Sequence, residues 1–309
     1  MTHQAWPELP YEAWEDTRDT LHMWTQIVGK IRLAKSPWVN HSWHVTLYVT
    51  SRGLTTSPIP DGQRTFEIDF DFISHELTVR TSDGQLRAFG LEPRSVAGFY
   101  ELLMTMLKEL EIEVEIDRRP NEVDGVPPFD QDEEHDSYDR EHAGRFFHVL
   151  SQTDRVFEAF RSRFIGKVSP VHFFWGSFDL AVTRFSGRKA PVHPGGIPNL
   201  ADWVTREAYS HEVSSAGFWP GGAAYPHPIF YSYAYPAPSG FGDSTVGPEG
   251  ATFADELGEF VLPYDVVRAA ADPDAALMEF LETTYRGAAD LGKWDRDSLE
   301  VRDPWPPRS

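Results

Sequence analysis

The chain has 309 residues, 40% of them hydrophobic and 25% charged, with a formal net charge of −20 and no cysteine. That length supports one or two domains around a sizeable core, and the composition is that of a soluble globular protein. The acidity makes phosphate backbones and anionic lipid poor partners, because approach begins with repulsion. The missing cysteines remove disulfides, thiolate metal sites and a cysteine nucleophile. The N-terminus shows no basic-then-apolar signal pattern, and no apolar run approaches the ~20 residues of a membrane span. The expectation is a cytoplasmic protein with neither a membrane nor a nucleic-acid partner.

Residues 1–16 hold Trp6, Pro7, Leu9, Pro10 and Trp14, which reads as an extended arm laid over the body. Asp16 or Thr17 is placed to cap a helix running to about Ala34, and Pro37 forces the chain extended beyond it. Trp43, Val45, Leu47 and Val49 alternate with His44, Thr46, Tyr48 and Thr50, the period of a strand. Phe66, Ile68, Phe70 and Phe72 alternate with Glu67, Asp69 and Asp71 in a second strand. A turn at Ile73–Glu76 would set Asp69 opposite Arg80. Strands are further expected over Leu86–Leu91 and Ile112–Ile116, with a helix over 95–110 between them. Residues 117–141, acidic and proline-containing, read as an exposed, mobile linker, without the Asp-x-Asp-x-Asn-Gly spacing of a calcium loop. A helix is expected over His142–Phe164, then the aromatic strand Gly166–Arg188, a long loop over 187–207, and a hairpin of Tyr209–Trp219 with Ile229–Tyr235. In that hairpin Tyr231, Tyr233 and Tyr235 share a face. A strand at 257–262 and a helix over 273–291 close the chain.

Parts of this order occur twice. Ser36-Pro37 falls on Ser169-Pro170 with an offset of 133, Leu47 on Leu180 and Val49 on Val182. Gly29-Lys30 matches Gly166-Lys167 with a four-residue insertion, and Phe89-Gly90-Leu91-Glu92-Pro93 echoes Phe260-Val261-Leu262-Pro263. The fold class expected is α+β: two related α-β-β-β-β-α units, an internal duplication with antiparallel sheets packed by helices. The divisions are an arm at 1–16, a first unit at 17–116, the linker at 117–141 and a second unit at 142–309.

Four phrases carry a resemblance: Trp24-Thr25-Gln26-Ile27-Val28-Gly29-Lys30, Phe66 to Phe72, Ser169 to Leu180, and Ser210-His211-Glu212 through Gly217-Phe218-Trp219-Pro220. They resemble the bacterial proteins grouped as domain of unknown function 5996, over roughly residues 5–300. The resemblance implies bacterial origin and carries over no activity and no catalytic residue.

Candidate chemistry is read from the residues themselves. Polar stripes on the first strands of the two units, flanked by aromatics, could line a shared cleft or simply face water. The candidate catalytic residues are Asp179, His172, Glu212 and His211: Asp179 or Glu212 as base, a histidine as acid or ligand. The candidate ligand contacts are His44, Asp69, Arg184, Trp175 and Tyr233, with Arg184 holding an anionic group. A bulge near Gly176 would be needed to bring His172, Arg184 and Asp179 to one face. His41 and His44 fall on opposite faces of a strand, so they cannot chelate there. His172, His211 and His227 lie on separate elements, so neither a metal nor another cofactor is assigned. Gly-x-Ser-x-Gly and the phosphate loop are absent. Two functions remain: an enzyme or ligand-binding protein acting on a small polar molecule in a cleft between the units, or a non-catalytic protein whose aromatic surface, in a chain that is 14% aromatic, takes a sugar, peptide or protein partner.

Overall fold

Helix α1 (Tyr11–Lys35) is the axis around which the rest packs; the computed structural model describes residues 5–197 and 199–301. It starts six residues earlier than the sequence suggests, directly after Pro10, so the arm is shorter than expected, and Trp6 and Leu9 within it are buried. It stops where predicted, with Ser36 extended before Pro37. From Thr17 to Arg32 nearly every residue is buried. A helix enclosed on all sides must satisfy its polar side chains internally. Arg32 Nε donates to the His44 carbonyl at 2.7 Å, and Lys30 Nζ to the Arg119 carbonyl at 2.6 Å.

The first sheet is an antiparallel meander of β1 (Tyr48–Val49), β2 (Gly53–Thr55), β4 (Arg64–Asp71), β5 (Glu76–Thr81) and β6 (Leu86–Gly90) in that order, with β3 (Ile59–Asp61) also paired to β4. Phe66, Ile68, Phe70, Leu77 and Val79 point to the core, and α2 (Val96–Glu109), capped by Ser95, covers them. Phe99 of α2 stacks on Trp24 of α1 at 4.7 Å.

Three expectations are corrected in this half. The strand over 43–50 shrinks to Tyr48–Val49, because His41 and Ser42 take positive φ in a 3₁₀ turn and Trp43–Thr46 continue that turn; His44 and Thr46 are buried. The turn after β4 is Phe72–His75, one residue earlier than expected, which shifts the cross-strand register by two. The Asp71 carboxylate accepts from the Ile73 and Ser74 backbone amides and fixes it there, so Arg80 pairs with Glu67 across the strands and reaches Asp69 diagonally. Residues 112–116 form no strand.

After α3 (Arg140–Arg161), capped by Asp139, comes the second six-stranded antiparallel sheet, ordered β11-β12-β10-β9-β8-β7. Its strands are β7 (His172–Phe174), β8 (Asp179–Lys189), β9 (His211–Trp219), β10 (Ile229–Tyr235), β11 (Thr252–Ala254) and β12 (Glu259–Pro263). The expected hairpin of β9 with β10 is present, Tyr231 opposite Gly217. Helices α3 and α6 (Pro273–Leu291) pack on one face of this sheet. The other face carries a short helix, α4 (Asp202–Ala208), formed within the stretch read as loop; α5 (Tyr264–Ala269) and α7 (Arg296–Leu299) complete the described helices. The sheets meet edge to edge: Leu47, just before β1, exchanges backbone hydrogen bonds of 2.9 and 2.8 Å with Phe173 of β7.

The protein is thus α+β, with two antiparallel sheets packed by helices. The duplication itself is not confirmed. Both sheets begin at an edge strand after a Ser-Pro, but the offset of 133 lays β1 on β8, one strand in from the edge. The acidic segment is not the free linker expected. Phe129, Asp132 and Tyr138 are buried in it, and Asp132 accepts from the Glu134 and His135 backbone amides.

Candidate functional site

The stretch Gly166–Arg188, read as one strand, is a hairpin whose turn is Trp175–Phe178, with Phe174 opposite Asp179 and Phe178 at φ 60°. This turn, not a bulge, sets the faces. His172, Phe174, Asp179, Ala181 and Thr183 share one face; Leu180, Val182 and Arg184 take the other, under the helices.

On the Asp179 face lies a cavity of about 620 Å³. Its base is β8, β9 and β10, through Thr183, Ser215, Tyr231 and Tyr233. Its roof is α4 and the loop before it, through Ile197, Leu200, Trp203 and Val204. Its sides come from Trp38–Val45, from Asn121 and Glu122, and from Glu259 at the start of β12. Five tryptophans line it: Trp38, Trp43, Trp175, Trp203 and Trp219.

The roof is clasped by the 3₁₀ turn of the first half. The His41 backbone amide donates to the Glu207 carboxylate at 2.7 Å, and His41 Nδ1 donates to the Ala208 carbonyl at 3.0 Å. On its other side, His41 Nε2 lies 2.6 Å from Lys167 Nζ, which stands behind the Trp43 and Phe185 rings. Burial and the nearby lysine keep His41 neutral, its pKa below the usual imidazole range.

Glu122 is placed by α1. Gln26 closes a two-way pair with the Asn121 backbone, each bond 2.8 Å, and Lys30 holds Arg119. Glu122 then takes φ 60° and turns its carboxylate onto Gly176, where a Cβ would overlap it. The hairpin turn is in turn held by His22, whose Nε2 donates to the Gly176 carbonyl at 2.8 Å; full burial pushes His22 down to about 3. His41, Ser42 and Glu122 are all non-glycine residues at positive φ lining one cavity, a costly conformation for an L side chain.

The polar groups converge. Asp179 is buried and accepts from the Ser177 and Tyr231 hydroxyls. Tyr209 and Tyr233 share a hydroxyl hydrogen bond of 2.9 Å. Desolvation, and then the charge of Asp179, push both Glu122 and Glu259 up to about 7. Solvent in the cavity reaches Glu122, yet protein walls its carboxylate on most sides. Asp179 is itself raised by desolvation, against the hydrogen bonds that favour its ionised form. No donor or cation meets the Glu122 or Glu259 carboxylate among the described residues.

Of the residues singled out from sequence, Asp179, Trp175, Tyr233 and His44 line this cavity. The others do not. His172 shares the face but sits behind it, packed by Trp43, Tyr48 and Phe174; burial and Arg32 push it down to about 3, a neutral core imidazole. Arg184 faces the helices, 3.4 Å above the Phe160 ring and bonded to the Phe160 carbonyl. Glu212 lies on the far face of β9, paired with Arg188 at 2.6 Å. His211 bonds to Ser210 and packs on His41. Asp69 is on the first sheet, paired with Arg80 at the surface. Sequence reasoning missed Glu122, Glu259, Tyr209, Tyr231 and Ser177; the tyrosine stripe of β10 was the one visible sign. No group of three or more His, Asp or Glu converges as a metal-ligand set among the described residues. Nor is any described helix long and apolar enough to cross a membrane.

Residues 6–301 match the family of unknown function DUF5996, and the chain belongs to that family. No curated protein and no solved structure matches it.

Proposed function

We propose that this protein binds a small organic molecule in the cavity beneath α4, and that Asp179 with its hydroxyl partners anchors the ligand's polar group. One observation carries the reading: a cavity of about 620 Å³, mostly aromatic and aliphatic, with its polar groups gathered around Asp179. Ligand sites are typically concavities of roughly 300–1,000 Å³ with apolar walls and a few convergent polar groups. The polar molecule expected from sequence therefore needs an apolar body as well.

A second reading, acid–base catalysis on the same ligand, is favoured by the two glutamates. A carboxyl held near 7 can exist in either protonation state at neutral pH, which suits a general acid or base.

The test is Asp179→Asn, which keeps the side-chain shape and removes the charge. A panel of soluble amines, acids, alcohols and sugars is screened by thermal shift. The parent protein is expected to be stabilised by a subset, and Asp179→Asn to fold with the parent's circular dichroism and lose that stabilisation. A variant that retains it removes Asp179 from the site. Chemical change of a stabilising compound during incubation, lost in Glu122→Gln or Glu259→Gln, would establish the catalytic reading.

A further inference from the structure

We infer that the ligand of this cavity is an organic cation, a protonated amine or quaternary ammonium on an apolar body, held by the carboxylates of Glu122, Glu259 and Asp179 among indole rings. The inference rests on the reading of the cavity as a small-molecule site and adds the charge of the ligand.

The first argument is the balance of charge. Three carboxyl groups reach into the cavity and no lysine or arginine lines it. Several acids elsewhere have a cation: Asp61 with Lys35 and Arg64, Glu300 with Arg296, Glu212 with Arg188; Asp154, outside the cavity, is an exception and is likewise raised, to about 6. Glu122, which solvent reaches, and the half-buried Glu259 are left without such a partner, and Asp179 beside them is buried; a cation among them would be stabilised by all three. The cations next to the walls are engaged elsewhere: Lys167 is bonded to His41 behind the rings of Trp43 and Phe185, Arg32 to the His44 carbonyl, and Arg206 to Asp202.

The second argument is the nature of the walls. Aromatic faces carry negative potential and attract cations, most strongly when the cation is desolvated, and indole is the best of them. Trp38 and Trp203 meet at 5.4 Å at the mouth while remaining half-exposed. The phenol rings of Tyr231 and Tyr233 stack in parallel on the floor beside Asp179. An anionic ligand would meet three acids and no lysine or arginine, only the neutral His41 and His44. A neutral ligand would leave the acids unpaired.

The positioning supports the same conclusion. Gln26 and Lys30 reach across from α1 to hold residues 119–121, and Glu122 adopts positive φ to turn inward.

The experiment uses three probes with one apolar body: phenethylamine, phenethyl alcohol and phenylacetate. Each is titrated by calorimetry against the full-length protein at about pH 8, where both glutamates are ionised. Phenethylamine is expected to bind at least about tenfold more tightly than the alcohol, the size of a desolvated cation–π and ion-pair contribution, and phenylacetate more weakly than either. In the Glu122→Gln/Glu259→Gln double variant the amine should fall to the level of the alcohol, with the alcohol unchanged. If the alcohol or phenylacetate binds as well as the amine, the cavity remains a small-molecule site and the assignment of charge is overturned. If none of the three binds, the small-molecule reading falls and the inference with it. Should the double variant fail to fold, the single Glu259→Gln variant gives the same comparison, with a partial loss expected.

Discussion

The two sheets treat their acids in opposite ways. On the first, Glu67, Asp69 and Asp71 stand along the solvent face of β4 and are answered by Arg80 and Arg52. Such pairs sit in water, are screened by salt and contribute little to stability. On the second, Asp179, Glu122 and Glu259 look into a space walled by tryptophan and tyrosine, with no lysine or arginine among the described residues that line it. The same residue types are thus solvated surface in one half and an unbalanced charge in the other. What separates them is the covering: α4 and the 3₁₀ turn roof the second sheet, and none of the described elements roofs the outer face of the first.

The largest consequence concerns the indoles that wall the second set. Trp175 is buried, packs flush on Gly29 of α1 and donates its Nε1–H to the Val45 carbonyl at 2.7 Å. Trp175→Ala is expected to destabilise the fold by about 3–5 kcal/mol in urea unfolding, as for other buried aromatic truncations. Next comes Glu259. Its folded pKa of about 7 lies above the ordinary value, so folding favours the protonated carboxyl. Its contribution is favourable below the ordinary carboxyl range, is lost as pH rises through 7, and is constant above. Glu259→Gln should remove that slope and leave the variant more stable by about 1–2 kcal/mol at alkaline pH, allowing for solvent in the cavity. Unfolding midpoints across pH would show it; an unchanged pH profile would mean that Glu259 is solvated like the acids of β4. The smallest effect belongs to the first sheet. Asp69→Asn should change stability by less than about 0.5 kcal/mol, and by less still in high salt. A larger change would mean that its pair with Arg80 is more than a surface contact.

Much of the scaffold was legible. Helices α3 and α6, strand β4 and the hairpin of β9 with β10 announce themselves by apolar spacing. The cavity was only half legible, and Glu122 shows why. In an acidic, proline-containing run it has the composition of solvated chain, and its inward turn is imposed through Asn121, which Gln26 holds from 95 residues away. Asp179 stood out because an acid among aromatics is conspicuous. His172 stood out for the same reason and is a core imidazole, since composition does not reveal which side of a hairpin remains open. Gly176 suggested a bulge, but the residue at positive φ in that turn is Phe178, for which the sequence offers no cue. Arg184 was read as an anion clamp. A tight hairpin reverses the face that a continuous strand would have given it.

The bridge between Leu47 and Phe173 bears on how the chain could be divided. Strands β1 and β7 each end a sheet, and an unpaired strand edge is a template on which foreign chains can add. Here each half blunts the other's edge, and the junction is closed by their own backbone amides. Cutting within the acidic segment would not release two independent modules. It would bare both edges, detach Glu122 or its supports from the cavity, and leave fragments whose most compatible partners are each other. The two sheets are one folding enterprise written in two consecutive passages, and the cavity belongs to neither passage alone.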